Sequence, residues 1–205
     1  IFFDVGSHFG ETVYLFNRYL DIKEFHCFEA SPKNFDILTN KIMRFKYKDI
    51  CYLNNFGIGR KNYETFINQT RESSSSTINN LNFKSNYFLK KLKVLNISEI
   101  ENYIEKVPVK IRSLDYYIKK NDIESIDILK IDTEGFELEV LKGLKENFHR
   151  VNFIYFEHHY DDMIKKNYSF SDIHYLLRNF GFVKKFKSRM PFRKSFEYIY
   201  QNSSK

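Results

Sequence analysis

The chain has 205 residues, a net charge of +7, 22 Phe and 15 Tyr but no Trp, and only two cysteines. That length suits one domain with a sizeable core. No apolar run is long enough to span a membrane, and two cysteines inside apolar runs make a disulfide-stapled scaffold the wrong class. Basic residues are scattered and read as solvated faces, and with no signal peptide visible a cytoplasmic location is expected.

Ile1 to Val5 is an apolar run broken by one acid, Asp4, and reads as a buried parallel strand. It begins without an initiator Met, so the natural protein is expected to extend further N-terminally. The turn Gly6-Ser7-His8-Phe9-Gly10 follows, then a helix over Glu11 to Leu20 with Val13, Phe16 and Leu20 on one face. Strand, glycine-bearing turn and helix bring a ligand close to backbone N–H groups. Glycine suits that turn because a Cβ blocks close approach or because φ is positive. Phe25 to Glu29 is a second strand ending in an acid about 20 residues after the glycine turn, where a carboxylate can accept hydrogen bonds from both ribose hydroxyls. Ser31-Pro32 starts a helix with Ser as N-cap, carrying Phe35, Leu38, Ile42 and Phe45. Ile50 to Asn55 is a third strand that delivers Asn55 and Gly57 to the same rim.

Residues 60 to 106 form the variable part, with a strand at Tyr63 to Ile67 and a low-complexity, mobile loop at Glu72 to Thr77. The Lys-rich stretch Phe83 to Val94 reads as an insertion or an irregular helix. Val107 to Ile111 alternates like a strand, and Ser113 caps a helix through Asn121. Ile126 to Asp132 is the next parallel strand, and Thr133 caps a helix whose inner stripe is Phe136, Val140, Leu141, Leu144 and Phe148. Val151 to Glu157 is a further strand ending at His158-His159. Ser171 to Phe180 is the last helix, and Phe182 to Phe186 with Phe196 to Tyr200 form a closing antiparallel pair. The class is therefore α/β: a mostly parallel, doubly wound sheet with an antiparallel C-terminal strand pair. In such sheets ligands bind beyond the carboxyl ends of the strands. That rule gathers Asp4, Gly6, Glu29, Asn55, Asp132, Glu134, Glu157 and His158 at one rim.

Phe3 to Gly10, Phe28 to Asn34, Asn55 to Gly59 and Leu129 to Glu137, running on to Leu141-Lys142-Gly143, resemble four motifs of the FkbM family of S-adenosylmethionine-dependent O-methyltransferases. Their order and spacing agree over residues 1 to about 160. The resemblance implies a Rossmann-like class I methyltransferase fold and S-adenosylmethionine as cofactor, held near Asp4, Gly6, Ser7, Gly10, Glu29, Asn55 and Gly57. It implies an acceptor hydroxyl on a sugar, glycan precursor or other small metabolite. Where the family usually shows Ala-Asn after the first glycine this chain has Ser7-His8, and histidine tolerates left-handed backbone.

Methyl transfer to a hydroxyl needs in-line alignment, exclusion of water and a base. Asp132, Glu134, His158 and His159 are the candidates, with His158 or Asp132 as base and Asp4 near the cofactor. No metal is required: His158 and His159 are adjacent on a strand and point to opposite faces. Methylation of an exocyclic amine of nucleic acid is disfavoured, since no Pro-Pro motif occurs. Two other classes remain: a non-catalytic binding module of the same fold, and an NAD-dependent oxidoreductase, whose Gly-x-Gly-x-x-Gly spacing is missing here.

Overall fold

The structure, a computed structural model, describes residues 1–97, 103–191 and 194–204. Residues 98–102 of the variable region thus lie outside the described residues. In chain order the strands are β1 (Phe2–Val5), β2 (Phe25–Phe28), β3 (Cys51–Asn54), β4 (Gly57–Ile58), β5 (Tyr63–Thr70), β6 (Ile104–Arg112), β7 (Ile126–Ile131), β8 (Val151–His159), β9 (Phe182–Arg189) and β10 (Ser195–Asn202). The helices are α1 (Glu11–Asn17), α2 (Pro32–Ile42), α3 (Asn86–Val94), α4 (Leu114–Lys120), α5 (Glu137–Lys142) and α6 (Phe170–Asn179).

Seven strands form one sheet in the order β3-β2-β1-β7-β8-β10-β9. The five from β3 to β8 are parallel neighbours, and β10 runs antiparallel to both β8 and β9. The chain reverses its direction of winding between β1 and β7, which opens a crevice at their carboxyl ends. Period-2 alternation makes the layers. β1 sends Phe2 into a cluster with Val13 of α1 and Leu38 and Ile42 of α2, while Phe3 and Val5 join Leu114, Ile118, Val140 and Leu141 on the opposite face. A second, three-stranded sheet, β4-β6-β5, lies outside the main one, and its Ile67, Val109 and Ile111 pack with Ala30 and Ile78.

Several local expectations hold and several shift. Ser31 and Ser113 cap α2 and α4 by accepting from Asn34 N and Tyr116 N at 3.2 Å each. The first helix stops at Asn17, and the amides of Arg18 and Tyr19 bond three residues back. Leu20 therefore turns outward and is 42% exposed, against its expected inward place. The helix after β7 is also broken. α5 ends at Lys142, Lys145 adopts φ 49°, and a 3-10 segment covers Lys145–Arg150. Val140, Leu141, Leu144 and Phe148 are still buried as a stripe. Thr133 does not cap α5; Phe136 occupies the N-cap position. The Lys-rich stretch forms the regular helix α3, capped by Ser85, with Phe88 and Leu92 buried.

Glu72 to Thr77 is a hydrogen-bonded turn in this structure rather than a loose loop. Ser76 Oγ donates to Ser73 O at 2.7 Å, and Asn68 and Thr77 exchange main-chain bonds at 2.8 and 3.2 Å. Cys27 is buried in β2 and Cys51 half-buried at the edge strand, both as free thiols. No helix among the described residues is long and apolar enough to cross a membrane.

Candidate active site

A cavity of about 300 Å³ lies over the carboxyl ends of β1, β2 and β7 and is roofed by the 73–78 segment. Its first wall is the glycine turn. Gly6 has φ +85°, and a Cβ there would sit 1.9 Å from the carbonyl oxygen of Asp132, so only glycine lets the end of β1 lie against the end of β7. The sequence anticipates a turn of free amides, and here the structure differs. Gly6 N and Ser7 N both donate to Phe28 O, His8 N to Glu29 Oε2, Phe9 N to Glu11 Oε2 and Gly10 N to Ser7 O. The turn supplies shape, not donors. Ser7 Oγ donates to Asp4 O at 2.7 Å and accepts from Phe28 N at 3.1 Å, so this side chain stitches β1 to β2. Gly10 begins α1 in left-handed conformation against Leu38 and does not line the cavity.

Glu29 stands where a ribose acid is expected. Its two oxygens accept from Ser31 N and His8 N, each at 2.9 Å, and each retains a second lone pair. Burial pushes its pKa up to about 7 against the pull of those two amides. Gly57 lines the cavity beside Ala30 and Ile58. Its lack of a side chain is demanded by packing, because a Cβ would come within 2.8 Å of Ile111 Cδ1. Asn55 does not reach the cavity; its amide donates to the carbonyls of Glu29 and Ala30 instead.

The second wall carries charge. Asp4 and Lys130 are register partners on β1 and β7, and Lys130 Nζ lies 3.4 Å from Asp4 Oδ1 and 3.3 Å from Asp132 Oδ2. Burial raises the Asp4 pKa, opposed by Lys130. Burial works against the Lys130 ammonium too, but Asp132 and Asp4 together hold its pKa above the usual lysine range. Asp4 is thus enclosed beneath the cavity rather than in it, while Asp132 and Lys130 line it.

Beyond Asp132 the backbone turns through two consecutive left-handed residues, Glu134 at φ 49° and Gly135 at φ 91°. Glu137 holds the turn from below, accepting from Gly135 N at 2.8 Å, from Thr133 Oγ1 at 3.3 Å and from the Tyr168 hydroxyl. Glu134 is buried and lines the cavity with Glu157. Behind them stands His159, whose Nε2 is 3.3 Å from Glu134 Oε2 and 3.6 Å from Glu157 Oε1, with Nδ1 3.6 Å from Asp161 Oδ2. Burial pushes the Glu134 carboxyl up to about 8, and His159 opposes that shift. For His159, burial lowers the pKa, but Asp161, Glu134 and Glu157 outweigh it and lift the imidazole to about 9. Among the described residues no group of three or more His, Cys, Asp or Glu is arranged to hold a metal ion.

His158 is the clear correction. Strand alternation sends it to the opposite face from Glu157 and His159, among the rings of Tyr160, Tyr168 and Phe170. Burial there depresses its pKa to about 3, and it does not line the cavity. Of the two histidines at this strand end, His159 is the one beside the acids. Lys130 was not singled out from the sequence. A lysine flanked by Leu129 and Ile131 inside a buried strand is the signal that points to it.

A seven-stranded sheet of this topology, with a glycine turn and a ribose-type acid at the switch point, defines the class I methyltransferase fold. The methyltransferase FkbM domain model matches residues 4–184, and the chain belongs to that family. S-adenosylmethionine is the cofactor this membership implies. One feature suits it: the paired acceptor lone pairs of Glu29, free to meet two hydroxyls. No curated protein matches the chain.

Among solved structures, the fold is similar to an FkbM methyltransferase from Methylobacillus flagellatus KT, at 15% identity and TM-score 0.62 over 97% of this chain and 43% of that one. It is also similar to M. capricolum TrmK bound to S-adenosyl-homocysteine, at 11% identity and TM-score 0.53 over 98% of this chain and 62% of that one. A third likeness is to the N-terminal domain of human METTL16 bound to the same product, at 12% identity and TM-score 0.50 over 97% of this chain and 60% of that one. The chain therefore spans less than two thirds of the length of each.

Proposed function

We propose that this domain transfers the methyl group of S-adenosylmethionine to a hydroxyl of a small, uncharged acceptor such as a sugar, a glycan precursor or another polyhydroxylated metabolite. When bound, the cofactor supplies a methyl group already activated on a sulfonium sulfur. Glu29 accepts the ribose hydroxyls, and Gly57, Ala30 and Ile58 give the base an apolar seat. The 73–78 roof excludes water, which strengthens every electrostatic contact beneath it. Glu134 takes the proton of the acceptor hydroxyl, with Asp132 beside it, because burial tunes this carboxyl close to neutral pH, where a base is most effective. His159 stands behind it as the counter-charge.

The observation that carries this reading is the buried Glu134–His159–Glu157 cluster, whose two carboxyls line the crevice. An uncharged acceptor is favoured by Lys130, the one lysine among the described residues that line the cavity, because Asp4 and Asp132 already engage its ammonium.

Calorimetric titration with S-adenosyl-homocysteine and with NAD tests the donor. The product should bind and NAD should not. Glu29→Ala should weaken binding by roughly 10- to 100-fold, as expected for losing hydrogen bonds to a charged group at about 1.5–3 kcal/mol. Binding of NAD alone would sink the reading. Binding of the product without methyl transfer to any of a panel of sugars and polyols would favour a non-catalytic module.

A further inference from the structure

We infer that Thr77 and Asn79, from the variable segment between β5 and α3, are positioning residues for Glu134. The inference rests on Glu134 being the acid at the reaction centre. Two consecutive left-handed residues, one of them not glycine, persist only where the surroundings over-determine them. Here both exposed carbonyls of the turn are held from the same side. Thr77 Oγ1 donates to Glu134 O at 2.7 Å, and Asn79 Nδ2 donates to Gly135 O at 2.5 Å.

The clamp is itself anchored. Thr77 Oγ1 accepts from Asn79 N at 3.1 Å, Asn68 Nδ2 donates to Asn79 O at 2.9 Å, and Thr77 is tied by its own amide and carbonyl to Asn68 of β5. Thr77 is buried, with 1% of its surface exposed. From below, Glu137 accepts from Gly135 N. The peptide between Glu134 and Gly135 is therefore gripped on its carbonyl side by the roof and on its amide side by α5. With that peptide fixed, the Glu134 side chain is aimed at His159 Nε2 rather than at solvent.

The Thr77 hydroxyl must donate and accept at once. Serine can do this and valine, of nearly the same shape, can do neither. That difference separates positioning from packing. The groups around His159 are Glu134, Glu157 and Asp161 at contact distance, Glu137 nearby, and the ammonium of Lys166, which donates to the His159 carbonyl. A change in the aim of Glu134 is read directly as a change in the His159 titration, with no acceptor substrate needed.

The test is a nitrogen-15 NMR titration of the histidine rings in the whole chain, comparing wild type with Thr77→Val, Thr77→Ser, Asn79→Ala and Glu134→Gln, with thermal melts to confirm folding. Wild type should keep His159 protonated to about pH 9. Glu134→Gln should lower that value by about one unit or more. Thr77→Val and Asn79→Ala should lower it in the same direction, and Thr77→Ser should restore it. If Thr77→Val is folded and titrates like wild type while Glu134→Gln does not, the positioning role is overturned. If Glu134→Gln also titrates like wild type, the Glu134–His159 pairing, and with it the proposed reaction centre, is overturned. Should Thr77→Val fail to fold, Asn79→Ala carries the same comparison.

Discussion

The wall built from residues 6–10 and 29–31 is fixed by hydrogen bonds from main-chain amides to carbonyls and carboxylates, with each of the five turn amides meeting a protein acceptor. The wall built from residues 132–137 and 157–161 is fixed by charge and by left-handed backbone. A donor shared by many reactions needs a rigid, pre-shaped seat, and local geometry near one turn can supply that. A reaction centre needs carboxyls tuned away from their ordinary values, which requires burial among opposing charges brought from distant strands. The two walls should therefore fail in different ways.

Lys130 belongs to both walls, since it joins Asp4 beneath the glycine turn to Asp132 at the acid turn. Lys130→Met removes the cation and leaves Asp4 fully buried without compensation. Breaking a buried pair in this way costs about 3–5 kcal/mol. Asp4 is already pushed towards its protonated form by burial, so the loss should fall at the lower end. For a chain of this size that is on the order of 10 °C in melting temperature. The double variant Lys130→Met with Asp4→Asn should recover part of it. A single variant that melts within a degree or two of wild type would show that the pair holds neither wall.

Adjacent histidines on β8 offer the next contrast, because their environments shift them in opposite directions. An unfolded imidazole titrates near 6.5, whereas folded His159 titrates at about 9. The folded state binds the extra proton across that interval. The stabilisation is fully present below pH 6.5 and is lost as pH rises through 9. Glu134 acts in the same sense, from 4.5 up through about 8. His158, lowered to about 3, acts on the other side: its contribution is present above 6.5 and fades as pH falls. Melts from pH 6.5 to 9.5 should therefore show an alkaline decline on the order of 5 kcal/mol, roughly 3 from His159 and roughly 2 from Glu134. In His159→Gln it should shrink to the share that Glu134 supplies, and in His158→Gln it should persist in full. An unchanged alkaline limb in His159→Gln would detach His159 from the acid cluster.

The same division explains what could be read from the chain. β1, the glycine turn, β2 ending at Glu29 and the capped α2 are local patterns, each decided by residues within about ten positions of one another. They are legible because period, cap and turn chemistry agree. The acid turn was legible as residue types, since Asp132 and Glu134 stand in a distinctive run, but not as an arrangement. Whether His158 or His159 faces those acids depends on the register of β8 against β7, and one residue of offset exchanges the faces. The clamp was not legible at all. Thr77 and Asn79 lie in a Ser- and Asn-rich stretch whose composition announces a loop, and nothing local says that its hydroxyl and amide meet residues 57 and 56 positions further on.

The roof meets the glycine turn through a contact between His8 and Ser73, and the smallest effect is expected there. His8 Nε2 lies 2.7 Å from Ser73 Oγ, and both residues are left-handed, at φ 47° and 62°. Substitutions must respect that backbone: Ser73→Gly removes the hydroxyl at a conformation glycine accepts, and His8→Asn shortens the side chain while tolerating positive φ. One such hydrogen bond contributes about 0.5–1.5 kcal/mol. Each variant should therefore weaken S-adenosyl-homocysteine by roughly 2- to 10-fold, mainly through faster release as the roof loosens. Because the two changes delete the same bond, the double variant should be no weaker than either single one, which is the signature of direct coupling in a double-mutant cycle. Additive losses would mean that His8 and Ser73 meet the donor separately. Stability should barely move in any of the three, so a lowered melting temperature without weaker binding would assign the contact to the fold instead of the site.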